Sequence, residues 1–314
     1  MRYIDFIKEF PDEASCMTAF KEMREKQGVV CKKCQKIDHY WLPSKKLYEC
    51  KSCGFRMSLK SGTVMENSKL PFQYWFLAMH LMTASKKTIS ALELQRQLGH
   101  AYYEPIWAMM HKIRRVMSKR DDNYQLEGQV EVDEGFYSTA FMLEINAFTG
   151  EPEFLKRGKG SQKKTKVLVM ASYKNAPKKK QNMKKYSAKT IPKYIKMSVI
   201  DDMTSLTINR EIENVIDKQS TVVTDAYKSY KDLPKVIENH QQYNLQHFDS
   251  DKILPWVHKA ITNSKNLLKA IHHCVWPEYL QNYLDEFCYK VNRRYFGEKI
   301  FERVLIASVT NTWY

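Results

Sequence analysis

Cysteines and carboxylates at informative spacings carry the chemistry this sequence is equipped for. Cys31-x-x-Cys34 is followed after 15 residues by Cys50-x-x-Cys53. That layout offers four thiolates as two knuckles able to close tetrahedrally on Zn2+, so a structural zinc site is expected. A second chemistry starts on the run 129–137, where Val130 and Val132 alternate with Glu131 and Asp133. The period of two puts the valines on one face of a strand and the carboxylates on the other. A third run, 220–225, looks like a buried strand and delivers Asp225 at its carboxyl end. If the two strands are neighbours, Asp133 and Asp225 lie side by side. Paired carboxylates of this kind hold hard cations such as Mg2+ or Mn2+ and support phosphoryl transfer.

Elements must position these groups, and the composition allows them. The chain has 314 residues and is 43% hydrophobic, enough for about two domains with real cores. Lys plus Arg is 51 against 35 Asp plus Glu, a net charge of +16. Such a balance points to a polyanion, most often nucleic acid. No apolar run reaches the roughly 18 residues of a membrane span, and the amino terminus lacks the pattern of a secretory signal. A cytoplasmic protein with reduced or metal-bound cysteines is therefore expected.

Residues 1–27 read as a lead-in helix that Pro11 must break or restart. The zinc ribbon covers 28–60, with Tyr40, Trp41 and Tyr48 where its strands belong. Its small size leaves metal ligation to supply the folding free energy. Cys16, Cys274 and Cys288 lack ligand spacing and read as core residues. Residues 61–122 are helical. Phe72, Trp75, Phe76, Met79 and Met82 or Leu81 form one stripe, Ser90-x-x-Glu93 opens a short helix that Gly99 closes, and a basic helix follows from near Pro105. Helix, short helix, turn, basic helix is the pattern of a DNA-binding helix-turn-helix. Further strands are expected at 166–171 and 194–200. Basic residues at Lys156, Arg157, Lys159, Lys163, Lys164 and Lys166, and again over 178–189, suit phosphate backbone.

The ordered set of zinc ribbon, helical region, Val132-Asp133-Glu134, Val223-Thr224-Asp225 with Tyr230, and the closing block from Leu280 to Arg294 resembles bacterial insertion-sequence transposases of the zinc-ribbon DDE kind. The resemblance spans about residues 10–308. It implies an α/β, RNase H-like mixed-sheet core over 123–314 including carboxy-terminal helices, and two Mg2+ ions. It also implies hydrolysis and strand transfer at the ends of a mobile element. Its partners would be double-stranded DNA, at element ends and target, and further copies of the chain in a dimer or larger synaptic assembly. The place of work would be the bacterial nucleoid.

Most such enzymes carry their third catalytic group as a Glu on a helix, with Lys seven residues later. The corresponding helix here, 255–268, has no Glu, and some relatives put Asn or His in that place. Seven residues separate His258 from Lys265, which leaves them about 20° apart on a helix, whereas Asn263 projects about 140° from His258. The seven-residue step favours His258 as the third group, with Asn263 the alternative and Asp249 or Asp251 as possible substitutes. Lys265 would contact the DNA backbone. Neutral imidazole in place of a carboxylate suits Mn2+ better than Mg2+. A catalytically inactive, domesticated DNA-binding regulator is the rival reading, and the missing Glu is the feature in its favour.

Overall fold

Pro11 and Asp12 divide the amino-terminal helix in two: α1 (Tyr3–Glu9) ends before them, and α2 (Glu13–Gln27) starts from an Asp12 and Ser15 capping box. The computed structural model describes residues 1–84, 86–142, 161, 163–176, 190–244 and 253–314. The chain forms two compact units, Met1–Asp121 with Arg293–Tyr314, and Asp122–Asn292. The 178–189 run, Lys156, Arg157, Lys159, Asp249 and Asp251 lie outside the described residues. Among the described residues no helix is long and apolar enough to cross a membrane.

In the first unit, β1 (His39–Leu42), β2 (Leu47–Cys50) and β3 (Arg56–Ser58) make an antiparallel three-stranded ribbon. Three helices follow, α3 (Phe72–Ala84), α4 (Ala91–Leu98) and α5 (Tyr103–Asp121). Ser90 caps α4 by accepting the Glu93 N–H at 3.1 Å, and Gly99 ends it in the left-handed region at φ 63°. On α5, His111 and Arg114 turn inward and are buried, while Arg115 is exposed. Cys16 and Cys288 are buried as expected, but Cys274 is exposed, beyond the helical register that would have turned it inward.

The expected core ran to the chain's end, whereas the second unit stops at Asn292. The last helix of the chain, Ile300–Thr310, belongs to the first unit and packs on α2, α3 and α5. Its Phe301 sits among Phe6, Phe10 and Phe76, with ring centroids 5.6, 5.7 and 6.0 Å away. These are long-range apolar contacts that local periodicity does not register.

The second unit is a five-stranded mixed sheet of β4 (Gln129–Ser138), β5 (Lys164–Asn175), β6 (Thr190–Ile200), β7 (Thr221–Asp225) and β8 (Asn239–Tyr243). The spatial order is β6-β5-β4-β7-β8, antiparallel through the first three strands and parallel through the last three. That is the mixed α/β arrangement expected of an RNase H-like core. The crossover helix α6 (Ser205–Val215) covers one face, closing over Val130, Val132, Leu168 and Met170. Helices α7 (Pro255–Ile271) and α8 (Pro277–Asn292) cover the other, over Val167, Val169, Ile195 and Met197. The alternation of β4 is thus real: valines face α6, and the acidic face meets α7.

Candidate active site

Along its α7 face, β4 presents Glu131, Asp133, Gly135 and Tyr137 in steps of two, and each meets the helix. Glu131 is 1% exposed, and its carboxylate accepts the backbone N–H groups of Trp256 (2.7 Å) and Val257 (3.0 Å) at the first turn of α7. Those amides have no intrahelical acceptor, so the carboxylate satisfies donors that would otherwise be buried bare. Burial outweighs these bonds and raises Glu131 to about 7. One step on, Asp133 Oδ2 lies 3.1 Å from His258 Nε2. Gly135 leaves room for the Tyr137 ring: a Cβ there would stand 2.9 Å from Tyr137 Cε2, while Ile261 Cγ1 of the helix, at 3.5 Å, would be in ordinary contact. The Tyr137 hydroxyl closes the seam on Ser264 Oγ at 2.7 Å.

The parallel pairing of β4 with β7 runs from Gln129↔Thr221 to Glu131↔Val223. Two further residues along each strand reach Asp133 and Asp225, so both carboxylates leave neighbouring strands on the α7 side. Asp225 Oδ1 accepts the Tyr227 N–H at 3.0 Å, and Asp133 Oδ1 accepts that of Glu134 at 2.8 Å. Tyr230 is fully buried, and its phenol is held well above its ordinary range by burial first and then by the charges of Glu134, Asp133 and Asp225. The fields of three carboxylates thus overlap at one buried hydroxyl, a negative potential that a divalent cation would offset. Among the described residues, only the four cysteines bring three or more donor atoms within 4.8 Å of one another. The imidazole of His258 rests on Asp133 itself.

Lys265 is half-buried, with its Nζ 5.3 Å from the Tyr137 ring centroid. Burial lowers its pKa, Lys164 lowers it further, and Asp133 opposes them. The lysine thus shares the field of the carboxylate site and of the β5 cation. Asn263 lies on the exposed side of α7. The helix brings His258 and Lys265, and not Asn263, toward Asp133. Glu131, Glu134 and Tyr230 have roles that sequence reading missed. Glu131 alternates with Asp133 and so reads as a second metal-facing acid, and nothing in the sequence places a helix end upon it.

In the first unit the Sγ atoms of Cys31 and Cys53 are 3.7 Å apart and those of Cys34 and Cys50 3.5 Å. All four lie within 4.8 Å of one another. A tetrahedral zinc with bonds of about 2.3 Å needs sulfurs about 3.8 Å apart, so the set fits the ion. Burial works to raise Cys31 and Cys50, yet backbone N–H groups of Cys34 and Lys33, and of Cys53 and Ser52, pull both down, Cys50 to about 6. The Phe55 N–H lowers Cys53, but burial and the other three sulfurs push it up to about 12. Four clustered sulfurs resist shedding every proton until a cation compensates them, which is the electrostatic signature of a metal knuckle.

No curated protein matches the chain. A family model described as the transposase zinc-ribbon domain matches residues 11–56, around all four cysteines. A second, the ISXO2-like transposase domain, matches residues 125–292 and so takes in Asp133, Asp225, His258 and Lys265. That match exceeds half of the 314 residues: the chain belongs to the ISXO2-like transposase family and carries the family's zinc ribbon at its amino-terminal end.

Proposed function

We propose that this transposase binds the terminal inverted repeats of an insertion sequence and catalyses metal-dependent DNA cleavage and strand transfer. The observation that carries the reading is the delivery of Asp133 and Asp225 to one end of adjacent parallel strands, beneath a helix that adds His258 and Lys265. Asp133 and Asp225 would hold Mg2+ or Mn2+, with His258 as the third ligand. Bound there, the cation would activate the nucleophile and stabilise the leaving oxygen. A water attacks the phosphodiester at the element end and frees a 3′ hydroxyl, which then attacks a target phosphodiester in line. The 3.1 Å approach of His258 Nε2 to Asp133 Oδ2 puts the imidazole beside the first metal-holding carboxylate, and Lys265 meets a non-bridging phosphate oxygen near the scissile bond. The zinc ribbon and the α3–α5 helices would read the element's ends, and the copies of the chain would pair the two ends in a dimer or larger assembly.

Strand transfer with element-end oligonucleotides in Mg2+ and in Mn2+ tests the assignment. Asp133→Asn and Asp225→Asn should each abolish both joining and cleavage while leaving end binding intact. Wild-type joining by either variant would sink the metal-holding role of that aspartate. The inactive-regulator reading is favoured only by the absence of a Glu from the 255–268 helix, and it requires the wild-type chain to bind ends without metal-dependent cleavage.

A further inference from the structure

Within the first unit, a cleft of about 490 Å³ lies where α3 meets the turn between α4 and α5, lined by Lys69, Tyr74, Trp75, His100, Tyr102 and Met109 among others. Its volume falls in the usual range for ligand pockets, roughly 300–1,000 Å³. The aromatic walls are held in place. Gln95 Nε2 donates to the carbonyls of His100 (3.0 Å) and Ala101 (3.2 Å), and the Tyr102 N–H donates to His100 Nδ1 at 3.2 Å. The His100 ring stands edge-on to both Tyr74 and Tyr102, with centroids 6.0 and 6.2 Å away. On the opposite wall, Lys60 Nζ donates to the Ser68 carbonyl at 3.2 Å and fixes the segment that leads to Pro71.

Two further observations say what the cleft would take. Trp75 lines the cleft from behind: its ring is fully buried and its Nε1–H is sealed from solvent, so the indole supports the wall and donates nothing into the cleft. Tyr102 is 70% exposed and Lys69 is exposed, so a large aromatic face and a cation stand open beside it, in a chain of charge +16. A flat ligand with π faces and an attached phosphate suits this aromatic and cationic lining.

We propose that this cleft is a pocket for one unpaired nucleobase of bound DNA. The base stacks on the tyrosine and histidine rings, and Lys69 meets the adjoining phosphate. A base still paired in a duplex presents neither face, so the pocket selects distorted, nicked or single-stranded positions over intact duplex. The proposal rests on the chain's action on DNA and adds a specificity element to it.

The test uses the full chain and two otherwise identical duplexes, one fully matched and one with a single bulged 2-aminopurine. The bulged duplex should bind about tenfold more tightly, on the scale of one stacked base, and its fluorescence should be quenched on binding. Tyr102→Ala, at an exposed position, and Tyr74→Ala, which removes a second ring of the lining, should each erase most of that preference. Equal affinity for the two duplexes without quenching, in a chain that still joins DNA ends, overturns the pocket and leaves the transposase reading standing. A preference retained in both variants also overturns it. Failure to bind either duplex overturns both.

Discussion

At the residue scale, the proposed third metal ligand is His258. It reaches Asp133 at 3.1 Å, while Asn263 points to solvent from the same helix. His258→Ala is expected to lower strand transfer by roughly 10–100-fold, the scale on which groups ordering a metal's ligands act, whereas Asn263→Ala leaves it near wild type. His258→Glu should recover activity and move the optimum from Mn2+ toward Mg2+, because it restores a hard oxygen ligand and a negative charge. Metal-dependent joining assays on the three variants decide the matter, and an inactive Asn263→Ala beside an active His258→Ala would reverse the assignment. Glu131 makes a different prediction. Glu131→Ala strips two amides at the start of α7 of their acceptor and should cost about 2–4 kcal/mol in urea unfolding. Glu131→Gln keeps an acceptor oxygen and should cost far less.

At the element scale, the closing block that looks most distinctive in sequence serves an edge strand. β6 ends the sheet, and its outward groups are met by side chains of α8. The Ile195 N–H donates to Asn292 Oδ1 (2.7 Å) and Asn292 Nδ2 donates to the Ile195 carbonyl (2.9 Å). The Val199 N–H donates to Gln281 Oε1 (2.7 Å), and Gln281 Nε2 donates to the Met197 carbonyl (2.8 Å). Two amide side chains thus imitate the strand that is missing and blunt an edge open to pairing with another chain. Asn292→Ala should destabilise the second unit by about 2–4 kcal/mol and raise light scattering at the midpoint of thermal unfolding. Unchanged unfolding would show the amide pair to be dispensable. Elements with strong periodicity were legible in the sequence: the 129–137 strand, the 255–268 helix and the Ser90-to-Gly99 helix lie within a few residues of those observed. β8 was not, because Asn239–Tyr243 is a polar edge strand without an alternating apolar face. Nor was the docking of Glu131 on α7, since it joins residues 125 positions apart.

At the scale of the whole molecule, the first unit is discontinuous: the chain leaves it at Asp121 and re-enters it at Arg293. Those two residues form an ion pair, Arg293 Nη1 to Asp121 Oδ1, with side chains 7% and 12% exposed. The pair ties the two ends of the unit together at the points where the second unit is inserted. Sequence order alone suggests the opposite partition, in which everything after residue 123 is one core, because the contacts that recruit the last helix are with residues near the amino terminus. The physical consequence concerns fragments. A chain cut at residue 122 keeps the ribbon and α3–α5 but loses Phe301 and its neighbours from the aromatic cluster, so it should populate an unfolded or molten state at 25 °C. Arg293→Ala in the full chain isolates the same dependence without truncation. It takes the guanidinium away from the buried Asp121 carboxylate and should cost roughly 3–5 kcal/mol. Monitored by Trp fluorescence in urea, that variant should show an earlier transition for the first unit and an unshifted one for the second. A single unshifted transition would show that the ion pair does not hold the unit's ends.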